Sequence, residues 1–304
     1  MKLTTFNMMK KMPDNLDGLV VLEQEQVEAL QKILFEILND IADVCEQYQI
    51  SYTLGGGSVL GALRHQGFIP WDDDIDINMP RAEYKKFIPL FRKHFGHKYW
   101  IHTPEETRGY ALPMAKVRLK NTIMKERDDF RNPECGVGLD IFIIENTFNN
   151  PILRKIHGIG SLGFGFLLSC RKFFRDRKEL LDYGKRWGKV AKAFYIKIAI
   201  GAVLSILPIG FWCKASNWWN SICHDSDSIY VSGCGGRLYF FGELYRRDEF
   251  CVSRQEVFEG RLFPVPVKAE QYLEHCYGNW EVIPDMDNRE KHILFDFSIE
   301  NCPR

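Results

Sequence analysis

No excess of either charge sign marks this chain: 40 lysines and arginines stand against 40 aspartates and glutamates in 304 residues. That balance excludes the basic field that draws a protein onto nucleic acid, and also the acidic surplus of a disordered chain. The nine cysteines include no C-x-x-C pair, so a structural zinc site is not expected. An odd number of scattered thiols, from Cys45 to Cys302, argues against a complete disulfide framework and for reduced thiols in the cytoplasm. The lead-in over 1–24 has early lysines but lacks the apolar stretch of a signal peptide. Internal repeats and low-complexity tracts are also missing. What remains is an ordinary folded composition, 45% hydrophobic, in a chain long enough to bury a substantial core.

Apolar residues at helical spacing, from Val27 to Cys45, predict an amphipathic helix over 25–47. Ser51 to Leu54 reads as a short strand running into Gly55-Gly56-Gly57-Ser58, with a second helix from Ser58 to about His65. An alternating strand is expected at 75–77, a helix over 81–94, and strands at 115–119 and 138–144. The expected fold class is α+β, with 25–150 as the core and 231–304 completing it. Within that last part, Tyr239-Phe240-Phe241 reads as a strand and 267–277 as a helix. Between core and completion, 151–230 is rich in Lys, Arg and aromatic residues and poor in acids, and reads as a helical insertion. Its window 193–212 is apolar enough to raise three readings: a buried or partner-covered helix hairpin, a peripheral membrane contact through 190–213, or a span.

The strongest chemical feature is Trp71-Asp72-Asp73-Asp74-Ile75-Asp76-Ile77. Crowded carboxylates repel each other unless cations compensate. On a strand, Asp72, Asp74 and Asp76 would share one face while Asp73 pointed away. Oxygen ligands so grouped suit Mg²⁺ or Mn²⁺, with a solvated acidic loop as the plain alternative. The Gly-rich turn upstream opens a helix, whose N–H groups (Gly56, Gly57, Ser58) favour phosphate. Asp140, a lone acid in an apolar strand, is the candidate third carboxylate, whereas Glu145 reads as a cap or surface acid. Lys116 and Arg118, two apart on a strand, are candidate phosphate clamps, with Arg64 next. His65 and Trp71 read as structural residues.

The stretch from Leu54 to Ile77 resembles the signature of the LicD family, bacterial phosphocholine transferases related to the fukutin group. Met79-Pro80-Arg81, Ala115-Lys116-Val117-Arg118, Leu139-Asp140-Ile141-Phe142, the segment 258–266 and Tyr272-Leu273 with Tyr277-Gly278-Asn279-Trp280 fit as well. The resemblance implies a nucleotidyltransferase-like core of the DNA polymerase β type. Gly57 and Ser58 would then be its Gly-Ser turn, Asp74 and Asp76 its paired metal-binding carboxylates, Asp140 the third, and Asp72 an additional acid. Arg289 and His292 fit a late motif that could reach substrate. A third glycine in the turn, Gly55, and Leu119 depart from the family's pattern.

The implied activity is Mg²⁺- or Mn²⁺-dependent transfer of a phospho-substituent, such as phosphocholine or a polyol phosphate, from a CDP-activated donor. The implied acceptor is a hydroxyl of a cell-surface glycan, lipopolysaccharide or teichoic acid, or of its lipid-linked precursor, and no nucleic acid is expected as partner. The implied location is cytoplasmic, peripheral at the inner face of the membrane. Two other readings stay open: a nucleotidyltransferase that attaches NMP to a small molecule or protein, and a non-enzymatic acidic metal-binding protein.

Overall fold

The computed structural model describes residues 18–186, 192–286, 289 and 294–299. The first helix, α1 (Gln24–Tyr48), forms because Val27, Leu30, Leu34, Ile37, Leu38 and Ile41 recur at three- and four-residue spacing and bury one stripe. At its start the Glu23 N–H donates to Gln26 Oε1 at 3.0 Å. Its end is marked by Gln49 in the left-handed conformation, φ 53°. Then follow β1 (Thr53–Leu54), α2 (Gly56–His65), β2 (Asp76–Pro80), α3 (Arg81–Phe95), β3 (Tyr99–His102), β4 (Ala115–Leu119), β5 (Ile123–Glu126) and β6 (Gly138–Thr147).

Strands β1, β2, β6, β4 and β3 lie in that order in one sheet. β2 and β6 run parallel, and the other neighbours run antiparallel. The fold is therefore α+β with a mixed sheet. Alternation along the strands sorts the two faces. Ile77, Met79, Val117, Leu139, Ile141 and Ile143 turn to one side, and all belong to the main core with residues of α1 and α3. Asp76, Asn78, Lys116, Arg118 and Asp140 turn to the other.

Four helices follow: α4 (Pro151–Arg175), α5 (Arg177–Arg186), α6 (Lys192–Leu204) and α7 (Ile209–Asn220). Asn150 starts α4, its Oδ1 accepting from the Ile152 and Leu153 N–H groups at 2.9 and 3.2 Å, with Pro151 in the first helical position. Among the described residues, no single helix is long and apolar enough to cross a membrane. α6 and α7 meet that requirement only together, and they are bent by 97° across a break that contains Pro208.

The chain then returns to the sheet. β7 (Tyr230–Ser232) pairs with the distal half of β6, and β8 (Leu244–Arg246) pairs with β7. Between them, 239–241 is not the expected strand but lies in the short helix α8 (Tyr239–Gly242), buried at Phe240. After α9 (Arg247–Phe250) comes the hairpin β9 (Ser253–Phe258) and β10 (Arg261–Pro266), then α10 (Ala269–Tyr277) and β11 (Leu294–Ser298), which pairs with β5.

A buried ionic knot joins the helical layer to the sheet. Arg81, at the start of α3, donates through Nε to Glu145 Oε2 at 3.0 Å and through Nη2 to Glu145 Oε1. The same guanidinium reaches Glu105 Oε1 at 2.7 Å and Asn217 Oδ1 of α7 at 2.8 Å. Glu145 is thus neither cap nor surface acid: it is 2% exposed, because odd-numbered β6 residues face the core. Removing the cation strands the buried Glu145 carboxylate. Arg81→Met is therefore expected to destabilise the fold by about 3–5 kcal/mol in chemical denaturation, and a loss within experimental error would contradict this account.

Candidate functional site

The site is assembled where β2 begins. In the parallel pairing of β2 with β6, Asp76 stands opposite Asp140. In the antiparallel pairing of β6 with β4, Asp140 stands opposite Lys116, and one strand further Lys116 stands opposite His102. Directly paired residues project from the same face, so four polar side chains form a row across the sheet. The row continues no further at β1, because there the first turn of α2 takes over.

The turn and the strand are tied by their backbones. The Gly55 N–H donates to the Asp76 carbonyl at 2.8 Å, and the Asp76 N–H donates to Ser58 Oγ at 3.0 Å. Ser58 therefore positions Asp76, and it is 5% exposed. Gly56 has φ +46°, and a Cβ there would stand 2.9 Å from Asp76 Oδ2. At Gly57 a Cβ would stand 3.0 Å from Asp72 Oδ2. The two glycines thus let two carboxylates approach the first turn of a helix, where its dipole is positive. Tyr272, from α10, closes the turn from outside, its hydroxyl accepting the Gly56 N–H at 2.9 Å.

The acidic run does not follow the expected alternation. Strand β2 starts only at Asp76, and 71–75 is a turn and loop. Asp72, Asp73 and Asp74 consequently cluster, each offering an oxygen within 4.8 Å of the others, with Asp73 buried rather than directed away. Among the described residues this is the one group of three whose donor atoms come so close. Its loop is held from α1, where Gln31 Nε2 donates to the carbonyls of Ile69 and Asp72 at 3.2 and 2.9 Å. The β9–β10 turn also holds it, with Glu259 Oε1 accepting the Phe68 N–H at 3.1 Å.

Asp140 bears the clearest electrostatic tension. Burial lifts its carboxyl to about 6, against the lowering effect of Lys116 and with a further raising effect from Glu126. Lys116 Nζ is 3.2 Å from Asp140 Oδ1, close enough for charge pairing, but that oxygen receives no hydrogen bond of acceptable geometry. The ammonium is aimed instead at Glu126, at 2.9 and 3.1 Å. Burial works against the charged Lys116, yet Asp140 and Glu126 outweigh it and raise its pKa. A buried carboxylate oxygen without a donor, beside further carboxylates, suits a hard divalent cation.

The remaining sequence candidates separate. Arg118 shares the face of Lys116 but is 1% exposed and grips Asp129 at 2.9 and 3.0 Å. That pairing occupies it within the protein. Arg64 donates to the carbonyls of Trp280 and Val282 at 2.7 and 3.4 Å, and to His65 Nε2 at 3.0 Å, anchoring the segment after α10. Arg289 is placed beside the acidic loop, its guanidinium 3.9 Å from the centroid of the Trp71 ring. His292 lies outside the described residues. Sequence reasoning gave Gln31 and Glu126 no role and met Tyr272 only within the family resemblance; Gln31 and Tyr272 act on groups 41 and 216 residues away, which no local pattern reveals. The alternation along 124–126 was the one available sign for Glu126.

With this geometry in view, the comparisons are specific. Residues 49–134 match the family model for the LicD/FKTN/FKRP nucleotidyltransferase domain. That match contains Gly56, Gly57, Ser58 and the acidic run, while Asp140 lies just beyond it. A lipopolysaccharide cholinephosphotransferase, LicD, from Haemophilus influenzae is 29% identical over 269 residues, 87% of this chain and 94% of that protein. Uncharacterized proteins of Rickettsia prowazekii and Rickettsia typhi are 36% and 33% identical over 24% and 20% of this chain, and over 31% and 20% of their own.

The crowding at Gly56 is directly testable. Gly56→Ala combines a left-handed φ with a Cβ against Asp76, and should cost about 1–3 kcal/mol of stability. At Gly163, inside α4, a Cβ meets nothing within 4 Å, so Gly163→Ala should be stabilising by about 0.5–1 kcal/mol. Urea melts of the two variants give the comparison. Equal effects would refute the packing described.

Proposed function

We propose that this protein transfers a phospho-substituent, phosphocholine or a polyol phosphate, from a CDP-activated donor to a hydroxyl of a cell-surface glycan or its lipid-linked precursor. The observation that carries the proposal is the in-register pairing of Asp76 with Asp140 beside a glycine-opened helix N-terminus. The name of the H. influenzae relative, a lipopolysaccharide cholinephosphotransferase, supports the substrate class. On this reading 25–150 is a nucleotidyltransferase-like catalytic core, 231–304 completes it, and 151–230 is an insertion.

Asp74, Asp76 and Asp140, with Asp72, are the residues that would hold Mg²⁺ or Mn²⁺. The bound ion supplies neutralising charge for the phosphoryl oxygens and the CMP leaving group. The rest falls to the chain. The first turn of α2, at Gly56 and Gly57, offers its dipole to a donor phosphate. Lys116 holds the Asp140 carboxylate in position, and its own pairing with Glu126 keeps it charged. The acceptor oxygen attacks phosphorus in line, the bond from phosphorus to the CMP oxygen breaks, and the acceptor's proton passes to Asp140 or Asp72. Arg289, stacked on Trp71, faces the rim of this loop.

Asp76→Asn and Asp140→Asn should each lower turnover by about 10²–10³-fold, the scale of losing one electrostatic stabiliser of a transition state. The assay screens CDP-linked donors with a cell-envelope glycan extract and follows CMP. Pyrophosphate as product would instead mean nucleotidyl transfer, and undiminished turnover in both variants would remove the site. Peripheral membrane contact through 190–213 belongs to the same reading. Flotation with anionic vesicles should carry the protein upward at low salt and release it at high salt, and protein left at the bottom in both would refute the contact.

A further inference from the structure

A second cavity, of about 400 Å³, opens between α4, α6, α7 and the loop around Gly235. That volume falls in the range of about 300–1,000 Å³ typical of small-molecule sites. Its wall is mainly apolar, with Pro113, Leu162, Phe166, Leu168 and Tyr239 contributing. Lys197 of α6 also lines it and is 5% exposed. The Lys197 ammonium donates to Ser169 Oγ at 3.0 Å and stands 4.8 Å from the Phe173 ring centroid. Among the described residues, no carboxylate lies within ion-pairing distance of it. The two other cations at the cavity share one carboxylate: Asp128 Oδ1 is 2.6 Å from Lys172 Nζ and 3.4 Å from Arg127 Nη2. Burial pushes the Lys197 pKa down to about 8, and Arg127 and Lys172 act in the same direction, so the group still carries its proton at neutral pH. A buried charge without a counter-charge is unfavourable, and an anion entering the cavity removes that cost.

We propose that this cavity binds an anionic amphiphile, a hydrocarbon chain against Leu162, Phe166 and Leu168 with a phosphate or carboxylate head on Lys197. The chemistry of the surrounding layer points the same way. No Asp or Glu occurs between residues 183 and 224, while Lys185, Arg186, Lys189, Lys192 and Lys214 do. Ile156, Ile159, Val203, Ile206 and Trp218 are exposed on the same helices and the bend between them. Such a layer attracts anionic, apolar-tailed molecules. The inference stands on the cavity and on Lys197, and does not depend on the transferase reading.

The test measures binding of dodecyl phosphate, below its micelle threshold, to the full chain by calorimetry and by the shift in melting temperature. The intact protein should bind it, and inorganic phosphate at the same concentration should not shift the melt. Lys197→Met keeps the volume and removes the charge. Its melting temperature without ligand should be equal or higher, and its affinity should fall by about tenfold or more, the worth of one charge-assisted hydrogen bond. Gly165→Phe supplies an independent check, since a Cβ at Gly165 meets nothing within 4 Å and the ring can occupy the cavity. This variant should weaken dodecyl phosphate without unfolding. Displacement of the probe by phosphatidylglycerol vesicles identifies a bilayer lipid as the occupant, and persistence of the probe identifies a free amphiphile; both uphold the site. No binding by the intact chain, or unchanged affinity in both variants, overturns it.

Discussion

Two carboxylates held side by side on adjacent parallel strands repel each other, and most of the surrounding structure is arranged around that repulsion. Asp76 and Asp140 are fixed by backbone register, so neither can swing away without breaking the central ladder of the sheet. The Asp140 N–H donates to the Ile75 carbonyl at 3.1 Å, which brings the end of the acidic loop into the same ladder. Charge compensation from within the protein then comes from two directions: the positive end of α2 and the Lys116 ammonium. Lys116 alone is insufficient, because Glu126 takes its two properly formed hydrogen bonds. Catalytic groups are commonly kept in such tension, since charge balance completed by the protein itself leaves nothing for substrate and ion to add.

The sequence was most informative where one local period decided the outcome. α1 and α3 follow from apolar spacing, and β4 and β6 from alternation, because each buries a single face against the same core. The acidic run was misread for a related reason. Alternation was extended back through Asp72, but the turn at Ile69 to Asp72 interrupts the strand before its first ladder bond. The correct statement, a clustered loop followed by a strand, depends on Gln31 and Glu259, which lie 41 residues before and 191 residues after the groups they hold. At 239–241 aromatic β-propensity lost to packing, since a helical turn lets Phe240 reach the buried His157 ring at 4.9 Å.

Lys116 and Arg118 show how far a shared face goes. Their spacing placed both on the polar side of the sheet, and both are there. Their partners decide what they do: Asp129 holds Arg118 through Nη2, while Lys116 divides its charge between Glu126 and Asp140. A guanidinium buried against its own carboxylate is a structural element, and breaking it to seize a phosphate would strand Asp129. The ammonium is different, because one of its neighbours belongs to the candidate site. Sequence spacing defines the face, but only burial and pairing separate a clamp from a brace.

The helical layer obeys a distinct electrostatic rule. Next to this layer the sheet compensates buried carboxylate charge inside the protein, as Arg81 does for Glu145 and Glu105. Between residues 183 and 224 the chain supplies cations and no acids. Asn217 connects the two regimes, giving its carbonyl to Arg81 and its amide to Glu105. That contact lets a layer with unbalanced charge sit against a sheet whose balance is nearly closed, and it anchors α7 at the same knot that fixes the end of β6.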